Sequence, residues 1–188
     1  MEYPGIKPLM LGHVLLIICC VFYLIWWCVA FRPGYQGSRA SGMLLLAVIS
    51  GLGGVIYSVM GIISKSGRPV RIPVFLIILG AVVIYALLMV GSSLLLHRQV
   101  TTELFLIIGW LMLEIISYQS AYRMEIFGTT GMNIFIAVAA IVAVLSLYFY
   151  MQYYNVSEIR GYIYGMIPLI TVALCMTGFI AVCWRQTL

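Results

Sequence analysis

The chain has 188 residues, of which 64% are hydrophobic and only 8% charged, with a formal net charge of +5. A soluble domain carries roughly 25% charged residues and needs polar surface to cover its core, so this composition excludes a soluble globular fold. It implies instead one all-α integral membrane domain, a polytopic helical bundle. The basic excess follows from topology and anionic lipid head groups, since the sequence leaves no room outside the membrane for the basic face that nucleic-acid binding needs.

The opening "MEYPGIKP" carries Glu2 and two prolines. The apolar run behind it is longer than a signal-peptide core, and no small-residue cleavage site follows it, so the first helix is expected to stay as a signal anchor. A helix needs about 20 apolar residues to cross the hydrocarbon. Six segments meet that length, at about residues 8–31, 41–63, 72–96, 102–123, 132–154 and 162–184. The connections are short, and "RPGYQGSRASG" and "SKSGRPVRIP" have the Gly, Ser and Pro content of turns.

Span one is bulky ("CCVFYLIWWC") and carries His13 and three of the five cysteines. The cysteines form no C-x-x-C pair, which speaks against zinc and paired-thiol redox chemistry and reads them as small buried hydrophobes. Span two carries Ser50, Gly54 and Ser58 at four-residue spacing. Such a small-residue row lets helices approach closely where lipid gives them no hydrophobic reason to associate. Span three has Pro73 in its first turn, where proline is tolerated, and "GSS" at 91–93 near His97. A serine dyad needs two elements and an oxyanion hole, which one helix does not supply. The two histidines fall toward opposite faces of the membrane and cannot share a haem or metal; each reads as interfacial.

Span four interrupts its apolar run with Glu114. Thr101 and Thr102 suit an N-cap, and Glu103 favours the positive end of the helix dipole. Eleven residues are almost three turns, which puts Glu103, Glu114 and Glu125 on one stripe with Glu114 near the midplane. Trp110, Ser117 and Tyr118 share its face by three- and four-residue spacing. A carboxylate at that depth costs about 2.5–3.5 kcal/mol by insertion measurements, so it is either protonated or paired. No Lys or Arg lies at similar depth, so the sequence offers no salt bridge within the chain. Either Glu114 bonds a neighbouring hydroxyl or carbonyl, or its cation comes from outside.

Span five ends in Tyr148, Phe149, Tyr150, Tyr153 and Tyr154, and span six opens with "GYIYG", continuing with Ala173, Thr177 and Ala181 as a second small-residue row. Pro168 is expected to bend the start of span six. With Trp26 and Trp27, these aromatics crowd one face of the membrane; an interfacial belt is the plainer reading, and an aromatic-walled pocket is the alternative that the excess on one face favours. "NVS" at Asn155 matches a glycosylation triplet.

The side bearing the N-terminus holds Lys7, Lys65, Arg68, Arg71, Arg123 and Arg185, against Arg32, Arg39, Arg98 and Arg160 on the other. That bias places both termini in the cytoplasm and suits a plasma (inner) membrane protein. The chain contains no aspartate, which counts against two-metal lipid-phosphate chemistry. No nucleophile–base constellation is visible, so no enzyme, cofactor or metal is expected. The reading is a membrane protein that binds or transports a small cationic or aromatic molecule in an outward-facing pocket. Glu114, Trp110, Tyr118, Ser117, Trp26 and Tyr150 would form the ligand site. The alternative is an accessory subunit, docked on a partner membrane protein or on a second copy of itself. Six short-looped spans in under 200 residues resemble, in format alone, the substrate-binding membrane subunits of energy-coupling-factor vitamin importers. The alanine-rich row of their first helix is missing from span one.

Overall fold

The computed structural model describes residues 5–30, 41–63, 73–96, 101–153 and 155–187. Six helices follow one another: α1 (Ile6–Ala30), α2 (Ser41–Ile63), α3 (Val74–Leu96), α4 (Thr101–Arg123), α5 (Thr129–Tyr153) and α6 (Glu158–Thr187). Each is long and apolar enough to cross a membrane, and no strand occurs among the described residues. This is the all-helical six-span architecture the composition implies. Bilayers impose it because every backbone polar group in hydrocarbon must be bonded within its own segment. Arg32, Arg39, Lys65, Arg68, Arg71, His97, Arg98 and Tyr154, and the side chain of Glu103, lie outside the described residues.

The tightest pair is α1 with α2. Leu9 faces Gly61, Gly12 faces Ser58, and Cys19 faces Gly51, an antiparallel register. A Cβ on Gly61 would meet the backbone N and Cβ of Leu9 at 2.7 Å, so only glycine permits this approach. The row on α2 therefore packs as its spacing implies, through Gly54, Ser58 and Gly61. Ser50 turns its hydroxyl to the Leu46 carbonyl within its own helix, at 2.7 Å.

Helix α6 runs antiparallel to α1. At one end the Trp27 ring fills the notch left by Gly165, and its indole N–H donates to the Tyr162 carbonyl at 3.2 Å. Toward the other end Phe179 meets the His13 ring, with centroids 4.8 Å apart. The second small-residue row is only partly used: Gly161 and Gly165 are buried, but Thr177 and Ala181 face outward. Helix α6 continues through Pro168, whose ring removes one backbone donor; Thr171 returns its hydroxyl to the Ile167 and Pro168 carbonyls, both at 3.0 Å. Pro73 stands just ahead of α3 rather than in its first turn, and its carbonyl accepts the Leu76 N–H at 2.9 Å.

Helix α4 is the least apolar span and the most buried. Half of its span is enclosed, against none of α3, which lies at the periphery beside it. The physical reason is solvent matching: in lipid the polar helix belongs inside and the purely apolar one outside. Tyr118 of α4 sits in an aromatic core with Phe135 of α5 and Phe179 of α6, at centroid distances of 5.1 and 5.0 Å. The helix ends in a Schellman turn. The Ile126 N–H reaches the Ala121 carbonyl at 3.1 Å, and the Glu125 N–H reaches Tyr122 at 3.0 Å. Glu125 occupies the left-handed position with φ 62°. It is therefore outside the helix and exposed, and the expected stripe of three glutamates does not extend to it.

Candidate functional site

Glu114 is fully buried in the bundle interior. Facing it is His13 of α1, also fully buried, with Nε2 3.4 Å from Oε1. This corrects two expectations: His13 is not interfacial, and Glu114 has a partner within the chain. Lysine and arginine are absent at that depth among the described residues, but a histidine two turns into a span reaches it. The sequence alone carries no mark of this face; the structure reveals it. Ile6, His13, Cys20 and Trp27 recur every seven residues and are all buried, so they form one inward stripe.

The hydrogen bonds of His13 define its chemistry. Nδ1 stands 2.8 Å from the Leu9 carbonyl. A carbonyl only accepts, so Nδ1 carries a proton and Nε2 is the nitrogen that gains or loses one. Nε2 and both Glu114 oxygens have no aligned hydrogen bond, despite the short separation. The Trp110 Nε1 and Ser117 Oγ atoms are likewise buried without a hydrogen-bond partner. Buried orphan atoms each cost about 1–3 kcal/mol, and native proteins hold few of them. Ser58, Gln119 (at Nε2), Ser120 and Ser146 also bury such an atom, but only here, among the described residues, do they include a carboxylate facing an imidazole.

A cavity of about 420 Å³ lies about one helical turn from this pair, walled by the middle of α1 and of α6, the N-terminal halves of α2 and α4, and Tyr150 near the end of α5. Leu16, Cys20 and Tyr23 of α1, Trp110 of α4, Tyr150 of α5 and Val172 of α6 are among its walls, which are almost wholly apolar. Of the six residues expected to bind a ligand, Trp110 and Tyr150 line this space. Glu114 does not; it lies one turn beyond Trp110, about 6 Å along the helix axis. Ser117 is buried on the same helix face, and Tyr118 is committed to the aromatic core, with its hydroxyl 3.5 Å from the Cys175 thiol. Trp26 is not a wall residue; it rests against Tyr23, with centroids 5.0 Å apart. Sequence reasoning missed the Cys19–Cys20 pair and Tyr23 as cavity walls, because nothing in an unbroken apolar run marks a face.

The aromatic rings at this end have different environments: Tyr148, Phe149 and Tyr164 pack on one another outside the cavity. Trp27 and Tyr153 pack on each other at 5.8 Å, and Trp27 keys into α6, so these are structural. Tyr23 and Tyr150 face the cavity. No group of three or more His, Cys, Asp or Glu side chains placed to hold a metal ion occurs among the described residues. No protein-family model, curated protein or solved structure matches this chain.

Proposed function

We propose that this membrane protein binds a small, largely apolar molecule with an aromatic or cationic group in the cavity beside Trp110, and carries it across the bilayer. The observation that supports this reading is the cavity itself. Its volume of about 420 Å³ is in the range of small-molecule sites, roughly 300–1,000 Å³, and its walls combine aliphatic side chains with Trp110, Tyr23 and Tyr150. Aromatic faces attract a desolvated cation by about 2 kcal/mol. With both termini in the cytoplasm, as the basic residues suggest, the cavity lies in the outer leaflet half.

The test is binding by the full-length protein in detergent. Neopentylbenzene, or its charged isostere benzyltrimethylammonium, raises the melting temperature of the wild type, and Val172→Trp, which places an indole in the cavity against Trp110, weakens or removes the shift. A wild-type protein that responds to neither compound contradicts the reading. The second reading, an accessory subunit or homodimer, draws on the outward-facing Thr177 and Ala181 of α6 and on α3, which buries no residue in its span. It predicts that the purified protein runs at a multiple of the monomer mass, or with a second membrane protein.

A further inference from the structure

We infer that His13 and Glu114 together hold one exchangeable proton, and that a monovalent organic cation in the adjacent cavity takes that proton's place. This rests on the cavity being a ligand site, and it names the substrate class and the coupling ion of that site.

The argument is one of charge neutrality. With Nδ1 fixed as a donor to Leu9, one proton remains for Nε2 and the Glu114 carboxyl to share. With that proton the pair is neutral overall, whether written as imidazole beside carboxylic acid or as imidazolium beside carboxylate. Without it the pair carries one negative charge in a site closed to water. An apolar interior does not tolerate a lone charge. The proton leaves only if another positive charge arrives nearby. The cavity is the adjacent space, one helical turn away along α4 from Glu114 and along α1 from His13, through Trp110 and Leu16. Its aromatic walls suit a cation whose own surface is apolar, and a hydrated metal ion would find almost no oxygen ligands there.

The ionisable side chains that sense the Glu114 charge are His13 and Cys20 of α1, Tyr118 of α4, and Cys175 and Cys183 of α6, and of these only His13 is a base that pairs a positive charge with the carboxylate. The buried residues of α5, Met132, Ala139, Val142, Ala143 and Ser146, include no ionisable group, nor do Ala47, Gly54, Ser58 and Gly61 of α2. The exchange balances: one proton leaves the pair for water, one monovalent cation enters the cavity, and the net charge of the bundle is unchanged.

The experiment measures benzyltrimethylammonium binding to the full-length protein in detergent across pH 6 to 9, with neopentylbenzene as the neutral isostere. Competition for one proton predicts that apparent Kd rises up to about tenfold for each unit that pH falls, and that binding in weak buffer releases about one proton per cation. The isostere binds with a pH-independent affinity and releases none. Glu114→Gln, checked for folding by its melting transition, keeps the isostere site and loses both proton release and pH dependence. Cation binding that is absent or independent of pH in the wild type overturns the inference, as does proton release unchanged in Glu114→Gln. If the isostere still binds, only the exchange fails; if neither compound binds, the cavity reading fails with it.

Discussion

The Nε2 atom of His13 and the Oε1 atom of Glu114 stand 3.4 Å apart, joining α1 to α4 across a fully buried contact. Their worth to the fold is measurable by a double-mutant cycle. His13→Ala and Glu114→Ala each leave a buried polar partner alone and are expected to destabilise by about 2–3 kcal/mol. The double variant is expected to lose at least ~1 kcal/mol less than the sum, because the second change removes an already orphaned group. Reversible unfolding in mixed detergent provides the values. Additive losses would show that the two side chains do not interact.

Trp27 and Gly165 form a knob and its hole. A Cβ at Gly165 would collide with the indole ring, while at Gly80 of α3 it would meet nothing within 4 Å. Gly165→Ala should therefore destabilise by about 1–3 kcal/mol through overpacking. Gly80→Ala should be neutral or stabilising by up to about 1 kcal/mol, from helix propensity alone. Thermal melts of the two variants in one detergent decide it, and equal effects would refute the packing assigned to Gly165.

Glu125 holds a left-handed backbone at φ 62°, in the turn between α4 and α5. Glycine adopts that conformation without the Cβ penalty of roughly 1–2 kcal/mol. Glu125→Gly is expected to raise stability by about 1 kcal/mol, and Glu125→Ala to give no such gain. A melting-temperature rise confined to the glycine variant is the result that supports the Schellman turn.

Cysteine accessibility maps the cavity without any functional assay. Cys19 and Cys20 line it, and Cys183 is fully buried elsewhere. In single-cysteine proteins, an apolar maleimide should modify Cys19, and benzyltrimethylammonium should slow that reaction several-fold. Cys183 should remain unmodified until the protein unfolds. Mass spectrometry follows both, and a Cys19 rate indifferent to the ligand would place the bound molecule elsewhere.

The helices were legible because lipid makes a local demand. Each span must satisfy its own backbone, so an uninterrupted apolar run of sufficient length is a helix whatever its neighbours do. Expected and observed ends agree to within a few residues, with α2 identical and the largest shifts at the start of α5 and at both ends of α6. The turn after α4 was not legible, because a left-handed glutamate carries no glycine to announce it. The α1–α2 contact was partly legible, since Gly54 and Ser58 are small for a reason that spacing reveals.

What the residue string determined by itself is a six-helix membrane bundle with one acidic side chain deep inside it. Which faces meet was decided only in three dimensions. In water, apolar and polar residues alternate with the helix period and mark an inner face; in lipid both faces are apolar, and that mark fades. So the string could not show that α1 turns His13 toward Glu114, that Trp27 seats in Gly165, or that Cys20, Trp110 and Tyr150 enclose one space. Those relations join residues tens to more than a hundred positions apart, and side-chain shape and charge select them after the helices have formed.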